Sequence, residues 1–373
     1  MKLTLKIKLL PSKEQADLLL KTIKEANAVC DTISEIAWEK KVFNQFKIHN
    51  EVYHKLKSSS NLSAQVLVRC ISKVTDAYKL DKKVKRTFKP LGSITYDSRI
   101  LSYKGDMISI WSVGGRLKMP FVCHNTNYLP YIKGEADLLF RKGKFYLFQT
   151  VDIIEDDVKD VETFLGVDFG LVSIATLSNG KEFNSNQLQS YREKRQKVRS
   201  SVQSKRTRGS KKLLKRLSGR ERTTASIINH TIAKQIVQIA KEENKGIAIE
   251  DLKGIRFSSL KKGKKFRTRV GKWSFNQLRQ YISYKAILNG VQVVLVNPRY
   301  TSKTCSNCHH IGNRKGKVFE CNNCGNNMDA DVNASINIAT LGGSVINPEK
   351  SDMFSCALHY SDLKPIPSLC VGG

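Results

Sequence analysis

The stretch "CSNCHHIGNRKGKVFECNNCGNNMDADVNASINIA", Cys305 to Ala339, limits what this chain can fold into more than any other. Two C-x-x-C pairs stand twelve residues apart, and Asp329-Ala330-Asp331 follows with four residues between Cys324 and Asp329. Thiols at this spacing close around one tetrahedral ion, so Cys305, Cys308, Cys321 and Cys324 are predicted to hold a structural Zn²⁺. Four sulfurs leave no open coordination position, so the ion would shape the chain and do no chemistry itself. His309 and His310 flank the first pair as alternative ligands, but four thiolates already satisfy the ion. The other five cysteines, Cys30, Cys70, Cys123, Cys356 and Cys370, are scattered and odd in number, which suits a reducing compartment.

Charge narrows the partner. The 373 residues carry 64 Lys and Arg against 33 Asp and Glu, a formal +31, while 40% hydrophobic content supports real cores. Such an excess calls for a polyanion, either nucleic acid or an anionic membrane surface. The opening "MKLTLKIKLLPSKEQ" alternates Lys with Leu or Ile and lacks the apolar run of a signal peptide. Nothing approaches the roughly 18 consecutive apolar residues of a spanning helix. An intracellular, cytoplasmic chain without a membrane partner is expected. Residues 192–222 hold fourteen Lys or Arg against Glu193 and Glu221, with Leu213, Leu214 and Leu217 along one edge, a pattern that predicts one surface helix. No acidic residue lies between Asp251 and Glu320. A merely solvated face is the weaker explanation, because these runs are long and of one sign. Lys205, Arg206, Arg208, Lys211, Lys212, Lys215 and Arg216 are the candidate phosphate contacts, giving affinity but no sequence reading.

The length allows two or three domains. Residues 2–9 alternate Leu3, Leu5, Ile7 and Leu9 with polar neighbours, as a strand does. Ser12 and Gln15 have capping-box spacing, and helical pattern runs to about residue 88 with one break at "KSSSNLS". Strand pattern fills Ile94 to Ile154, including a hairpin turning at Lys142-Gly143. The first strand is expected to join that sheet, which makes the helices an insertion. After the acidic "IIEDDVKDVE" comes mixed α/β pattern: hairpin-linked strands from Phe164, a helix over 223–244, the strand "GIAIE", a helix closed by Gly290 and the strand "VQVVLVNP". The predicted segments are 1–10 with 90–158 (one sheet), 11–89 (helical insertion), 159–303 with 325–341 (α/β domain), 304–324 (cysteine ribbon) and 342–373 (mobile tail).

Three acids sit at the exits of apolar elements. Asp168 ends "FLGVD", Glu250 ends "GIAIE", and Asp331 opens "DVNASINIATL". Phosphodiester hydrolysis needs carboxylates that hold two divalent ions about 4 Å apart, and Mg²⁺ with its retained waters is served by three acids. Each has a plain structural alternative. Asp168 before Phe-Gly could form a turn, Glu250-Asp251 could cap one, and Asp329 or Asp331 could complement a helix dipole. Together, in the order Asp…Glu…Asp on elements of the RNase H-like type, they predict a nuclease site.

"GVDFGLVSIATLSNG", "GIAIEDLKGI", "WSFNQLRQYISYKA", "NPRYTSKTCSNC" and "CNNCGNNMDADVNASINIA" resemble the successive motifs of the TnpB family, transposon-encoded proteins with a RuvC-like nuclease domain related to compact type V CRISPR effectors. The resemblance runs over roughly residues 1–341 and is densest from Gly166 to Ala339. It implies an α/β RNase H-like (RuvC) domain with an inserted zinc ribbon, and a wedge-like N-terminal barrel carrying a helical recognition insertion. It further implies an RNA-guided DNA endonuclease: a transposon-derived guide RNA pairs with one strand of double-stranded target DNA beside a short adjacent motif, and one Mg²⁺-dependent site cuts both strands. The family's acids fall on Asp168, Glu250 and Asp331. Asp331 is preferred over Asp329 because the family's acid precedes x-Asn-Ala, here Val332-Asn333-Ala334. "NLSAQVLVRCISKV" resembles the segment near the adjacent-motif duplex, which makes Gln65 a candidate contact. A monomer on the RNA, associated with a prokaryotic nucleoid, is expected.

Two other readings compete. A guided or unguided DNA-binding protein of a transposon, a repressor or transposition accessory, would keep the charge and the cysteines without using the acids. A transposase could share two-metal chemistry, and only the family resemblance separates it from guided cleavage.

Overall fold

The chain opens with β1 (Lys2–Leu9), then α1 (Lys13–Glu39), α2 (Gln45–Ser59) and α3 (Ala64–Leu80), followed by β2 (Ile94–Tyr96), β3 (Leu101–Lys104), β4 (Met107–Ser112), β5 (Gly115–Cys123), β6 (Ile132–Arg141) and β7 (Lys144–Asp152). The computed structural model describes residues 1–252, 263 and 275–346. Two compact units divide the chain, Met1–Ile154 and Glu155–Gly373.

In the first unit the seven strands form one sheet in the order β2-β6-β7-β1-β5-β4-β3. β1 lies at its centre, antiparallel to β7 from Lys2↔Asp152 to Lys8↔Tyr146 and to β5 at Ile7↔Cys123. Leu5, Ile7 and Leu9 are buried, as a two-residue period with one apolar face requires. The edge strands β2 and β3 are consecutive in sequence. Tyr96 Oη donates to the Trp111 carbonyl at 3.0 Å, so the sheet curls into a nearly closed barrel. Lys142 and Gly143 both take positive φ, 52° and 73°, which a two-residue hairpin with matching twist demands.

The helical insertion has two breaks where the pattern predicted one. The second falls at residues 40–44, where Lys41 adopts φ 53° and Asn44 then caps α2 by accepting from the Phe46 and Lys47 amides. No Gly or Pro marks it. Helix also stops at Leu80, short of residue 88. The following chain is held extended on α1, with the Phe88 amide on Asp31 at 2.7 Å and Ser34 Oγ on the Arg86 carbonyl at 2.7 Å.

The second unit comprises β8 (Phe164–Asp168), β9 (Ser173–Leu177), β10 (Glu182–Asn184), α4 (Asn186–Ser204), α5 (Arg208–Leu217), α6 (Arg220–Glu242), β11 (Gly246–Glu250), α7 (Phe275–Ile287), β12 (Val293–Val296), β13 (Asn313–Lys315), β14 (Val318–Glu320), β15 (Asn327–Asp329) and α8 (Ala330–Ile346). Its main sheet runs β10-β9-β8-β11-β12. β8, β9 and β10 are antiparallel neighbours, and β11 is parallel to both β8 and β12. One face packs Leu165, Val167, Ile247 and Ile249 against Ile232 and Ile236 of α6 and Leu278 and Ile282 of α7. The other packs Phe164, Ala248 and Val294 against Ile338 and Leu341 of α8. Gly166 is what lets α8 approach: a Cβ there would stand 1.9 Å from the Ser335 carbonyl oxygen.

Three expectations for this unit need correction. The basic segment 192–222 is two helices and the start of a third, broken at Arg206 (φ 49°) and Gly219 (φ 85°). The cysteine segment does not end at 324. Its three-stranded sheet β13-β14-β15 continues to Asp329 and runs directly into α8. Nor does an unpatterned tail begin at 342, because α8 continues to Ile346. Gly342 lies on the sheet, where a Cβ would meet Ala248 Cβ at 2.7 Å, so this glycine is packing and not a helix stop. The rest of the expected tail, 347–373, falls outside the described residues. Among those residues no helix is long and apolar enough to cross a membrane.

Candidate active site

β8 and β11 run parallel with Val167 opposite Ile249, so the next residues, Asp168 and Glu250, end neighbouring strands at the same level. Side chains alternate along a strand. Val167 and Ile249 face α6 and α7, so Asp168 and Glu250 face α8, where Asp331 stands in the first turn. Register thus sets Asp168 beside Glu250 on the face that α8 covers, and the Asp331 carboxylate is near enough to be felt at Asp168.

Their electrostatics are those of a crowded, poorly solvated site. Burial first, then the Glu250 and Asp331 carboxylates, push the Asp168 carboxyl up to about 8. Arg314 and the Phe169 amide oppose that rise. Burial also raises Glu250, which is 8% exposed, against the pull of a Thr301 hydrogen bond and of Arg314. Thr301 Oγ1 donates to Glu250 Oε1 at 2.5 Å. Arg314 Nη2 reaches Asp331 Oδ1 at 2.6 Å. Asp251, beside Glu250, turns instead to Arg279 of α7 at 2.9 Å.

Asp329 and Asp331 are distinguished by what their carboxylates do. Asp329 Oδ1 accepts the amides of Asp331 (2.9 Å) and Val332 (3.1 Å), which makes it the N-cap of α8. Asp331, one step into the helix, pairs with Arg314 and acts electrostatically on Asp168.

The four cysteine Sγ atoms all lie within 4.8 Å of one another, the one group of three or more potential ligands this tight among the described residues. Cys308 and Cys321 are 3.5 Å apart and Cys305 and Cys324 are 3.7 Å apart. An S–S bond is about 2.05 Å, whereas the edge of a tetrahedron with 2.3 Å Zn–S bonds is about 3.8 Å. The spacing therefore fits four thiolates about one zinc ion. N–H groups are already aimed at these sulfurs: the Asn307 amide and Asn326 Nδ2 at Cys305, and Asn307 Nδ2 at Cys324. The Cys308 thiol is drawn down to about 5, chiefly by the His310 backbone amide. His310 Nδ1 lies against the Cys308 carbonyl and Asn323 Nδ2, not among the sulfurs.

This module is built into the site. Arg314 comes from its first strand, β13. Ala330 is buried in its small core with Cys305, Phe319 and Cys321, and the Ala330 amide donates to the Lys317 carbonyl at 2.8 Å. Sequence reasoning missed Arg314 and Thr301. "NRKGK" reads as an ordinary basic hairpin tip, and only the insertion of the module just before Asp331 hints that its strands reach the acids.

The other candidate contacts are placed as follows. Lys205, Arg206, Arg208, Lys211, Lys212, Lys215 and Arg216 are all exposed on or beside α5, with Leu213, Leu214 and Leu217 half-buried beneath. None of the seven is in an ion pair among the described residues. Gln65, in the first turn of α3, donates to Asp97 and accepts from Arg99 at 3.0 Å, within a cluster where Arg69 also holds Asp97 at 2.8 Å.

The architecture matches a solved Cas12f1–sgRNA–target DNA complex with a TM-score of 0.60 at 16% identity, covering 88% of this chain and 83% of that one. The fold is that of the compact Cas12f proteins. Residues 275–338 match the family model described as Cas12f1-like, TNB domain. A TnpB-like protein of Methanocaldococcus jannaschii is 29% identical over 280 residues, 73% of this chain and 96% of that protein. The chain is similar to a TnpB-like protein over most of its length. It is also 41% identical over 115 residues to the CRISPR-associated endodeoxyribonuclease Cas12f1 of Sulfoacidibacillus thermotolerans, 30% of this chain but only 26% of that longer protein.

Proposed function

We propose that this chain is an RNA-guided DNA endonuclease encoded by a transposon, which cuts double-stranded target DNA beside a short adjacent motif by metal-dependent phosphodiester hydrolysis. The observation that carries the reading is the convergence of Asp168, Glu250 and Asp331. They end two parallel strands and begin the helix that covers them, in surroundings that raise the Asp168 and Glu250 carboxyls. Nothing in packing rewards three carboxyls collected this way, whereas a divalent cation does.

Asp168, Glu250 and Asp331 would hold Mg²⁺, whose chemistry when bound is to activate water and stabilise the leaving oxygen. Oxygen-only donors suit a hard cation, and Arg314 offsets part of the negative charge. Cys305, Cys308, Cys321 and Cys324 would hold Zn²⁺ as a ribbon whose hairpin carries Arg314 and whose last strand aims α8. In this reading the main sheet of the second unit is the RuvC-like nuclease domain. The barrel with its three helices is the wedge and recognition lobe, and the exposed basic residues of α5 meet phosphates of guide or target. The protein acts in the cytoplasm as a monomer on its RNA.

A DNA-binding protein without cleavage would share the basic surface but has no use for the three acids. Co-expression with the genomic sequence flanking the reading frame, followed by sequencing of the RNA that purifies with the protein, tests the guided half. A discrete RNA ending in a variable segment is expected. Only heterogeneous cellular RNA would move the unguided DNA-binding reading ahead.

A further inference from the structure

The loop between β12 and the first cysteine carries a buried hydrogen-bond chain that links two of the three acid-bearing elements. Thr301 is 3% exposed, and its hydroxyl has one proton to give. Two acceptors lie in reach, Glu250 Oε1 at 2.5 Å and the Pro298 carbonyl at 3.1 Å, and the nearer carboxylate is the stronger. The Thr301 backbone is held in turn from α8. Asn337, 1% exposed, spends its two N–H groups on the carbonyls of Thr301 (2.9 Å) and Thr304 (2.7 Å). One helical turn earlier, Asn333 donates to the Thr304 carbonyl at 2.8 Å and accepts the Ser306 amide at 2.9 Å.

Asn337 Oδ1 is buried with no hydrogen-bond partner among the described residues. A side chain kept there despite an idle acceptor is kept for its donors. The same helix presents Asp331 on its first turn and rests on Gly166 of β8, two residues before Asp168.

We propose that Thr301 is the positioning residue for Glu250: its hydroxyl occupies Oε1 and leaves Oε2 for a cation shared with Asp168 and Asp331, while Asn337 sets Thr301 so that the loop and α8 keep one geometry. This rests on the metal-dependent nuclease reading above. It adds a hydroxyl that touches neither substrate nor metal, and assigns the two buried asparagines of α8 to the loop. A carboxylate ligand left without its orienting hydrogen bond typically loses about 10- to 100-fold in metal affinity or activity.

The test uses the guide-loaded complex with Thr301→Val, Thr301→Ser and Glu250→Gln, each checked for melting temperature and for target binding. Two signals are read. One is target cleavage against Mg²⁺ concentration. The other needs no DNA: Fe²⁺ in place of Mg²⁺, with ascorbate and peroxide, cuts the polypeptide beside the bound ion, and the fragments ending near 168, 250 and 331 are titrated. Valine keeps the shape and removes the hydroxyl, so both signals should need about tenfold more metal or more, with target binding unchanged. Serine restores the hydroxyl and should bring both back to within about threefold of wild type, below the roughly 10- to 100-fold that a lost orienting bond costs.

Valine behaving as wild type in both signals, while Glu250→Gln loses them, overturns the role of Thr301 alone. Serine as defective as valine, with both melting lower, also overturns it, because the methyl packing would then be what matters. Glu250→Gln keeping both signals overturns the nuclease reading itself, and the proposal with it.

Discussion

Asp329 and Asp331 are two residues apart, chemically identical and differently employed. Asp329 spends its carboxylate on the amides at the head of α8, and Asp331 gives its own to Arg314 and acts on Asp168. Their substitutions should therefore part company. Asp329→Ala removes a cap worth about 1 kcal/mol, which should lower the melting temperature and leave guided cleavage measurable. Asp331→Asn keeps the helix start and the side-chain volume, so the melting temperature should hold while cleavage falls to background. Equal loss of cleavage in the two variants, after correction for folded fraction, would contradict the assignment. Asp168 and Glu250 were legible in the sequence because an acid ending an otherwise apolar strand breaks the pattern visibly. Arg314 and Thr301 were not legible. Each sits in a locally unremarkable stretch, and each reaches the site only through packing between segments far apart in the chain.

At the scale of elements, α8 matters most. It lies on β8 and β11 with its backbone close against the sheet, and Gly166 is the residue that permits it. Gly166→Ala puts a methyl against the Ser335 carbonyl, a clash with backbone that no rotamer relieves. Overpacking of this kind costs about 1–3 kcal/mol or more. The expected result is a lower melting temperature together with slower cleavage, since moving α8 moves Asp331. A melting curve and a cleavage time course on the same preparation check it.

The cysteine module aims the same helix from its other end. Cys305→Ser should reduce zinc content measured by elemental analysis and lower both the melting temperature and cleavage. Unchanged cleavage with zinc demonstrably gone would contradict the link. Zinc spacing and the capping box at Ser12 could be read from residue order, because both are local. The helix break at Lys41 and the continuation of α8 past Leu341 could not. The first has no glycine or proline to announce it. The second hides behind Gly342 and Gly343, which look like a stop and serve, at Gly342, as a packing surface.

At the scale of the whole molecule the governing fact is a formal +31 with a concentrated basic face on α5. Lys211 and Lys212 are exposed and unpaired among the described residues, so their removal should not disturb the fold. If both meet phosphate, the double alanine variant should flatten the plot of log affinity against log salt, by about 0.9 for each duplex phosphate no longer neutralised. An unchanged slope would place the nucleic acid on another face. Charge alone, however, fits any binder of nucleic acid, and the acids alone fit any metal-dependent hydrolase. The measurement that joins them most directly is plasmid cleavage by the complex purified with its own RNA, the variable end of that RNA rewritten to match a chosen site, with Asp168→Ala prepared alongside. Mg²⁺-dependent cutting at the chosen site by the wild type and none by the variant is the predicted result; cutting that ignores the rewritten RNA, or that survives Asp168→Ala, would contradict the account.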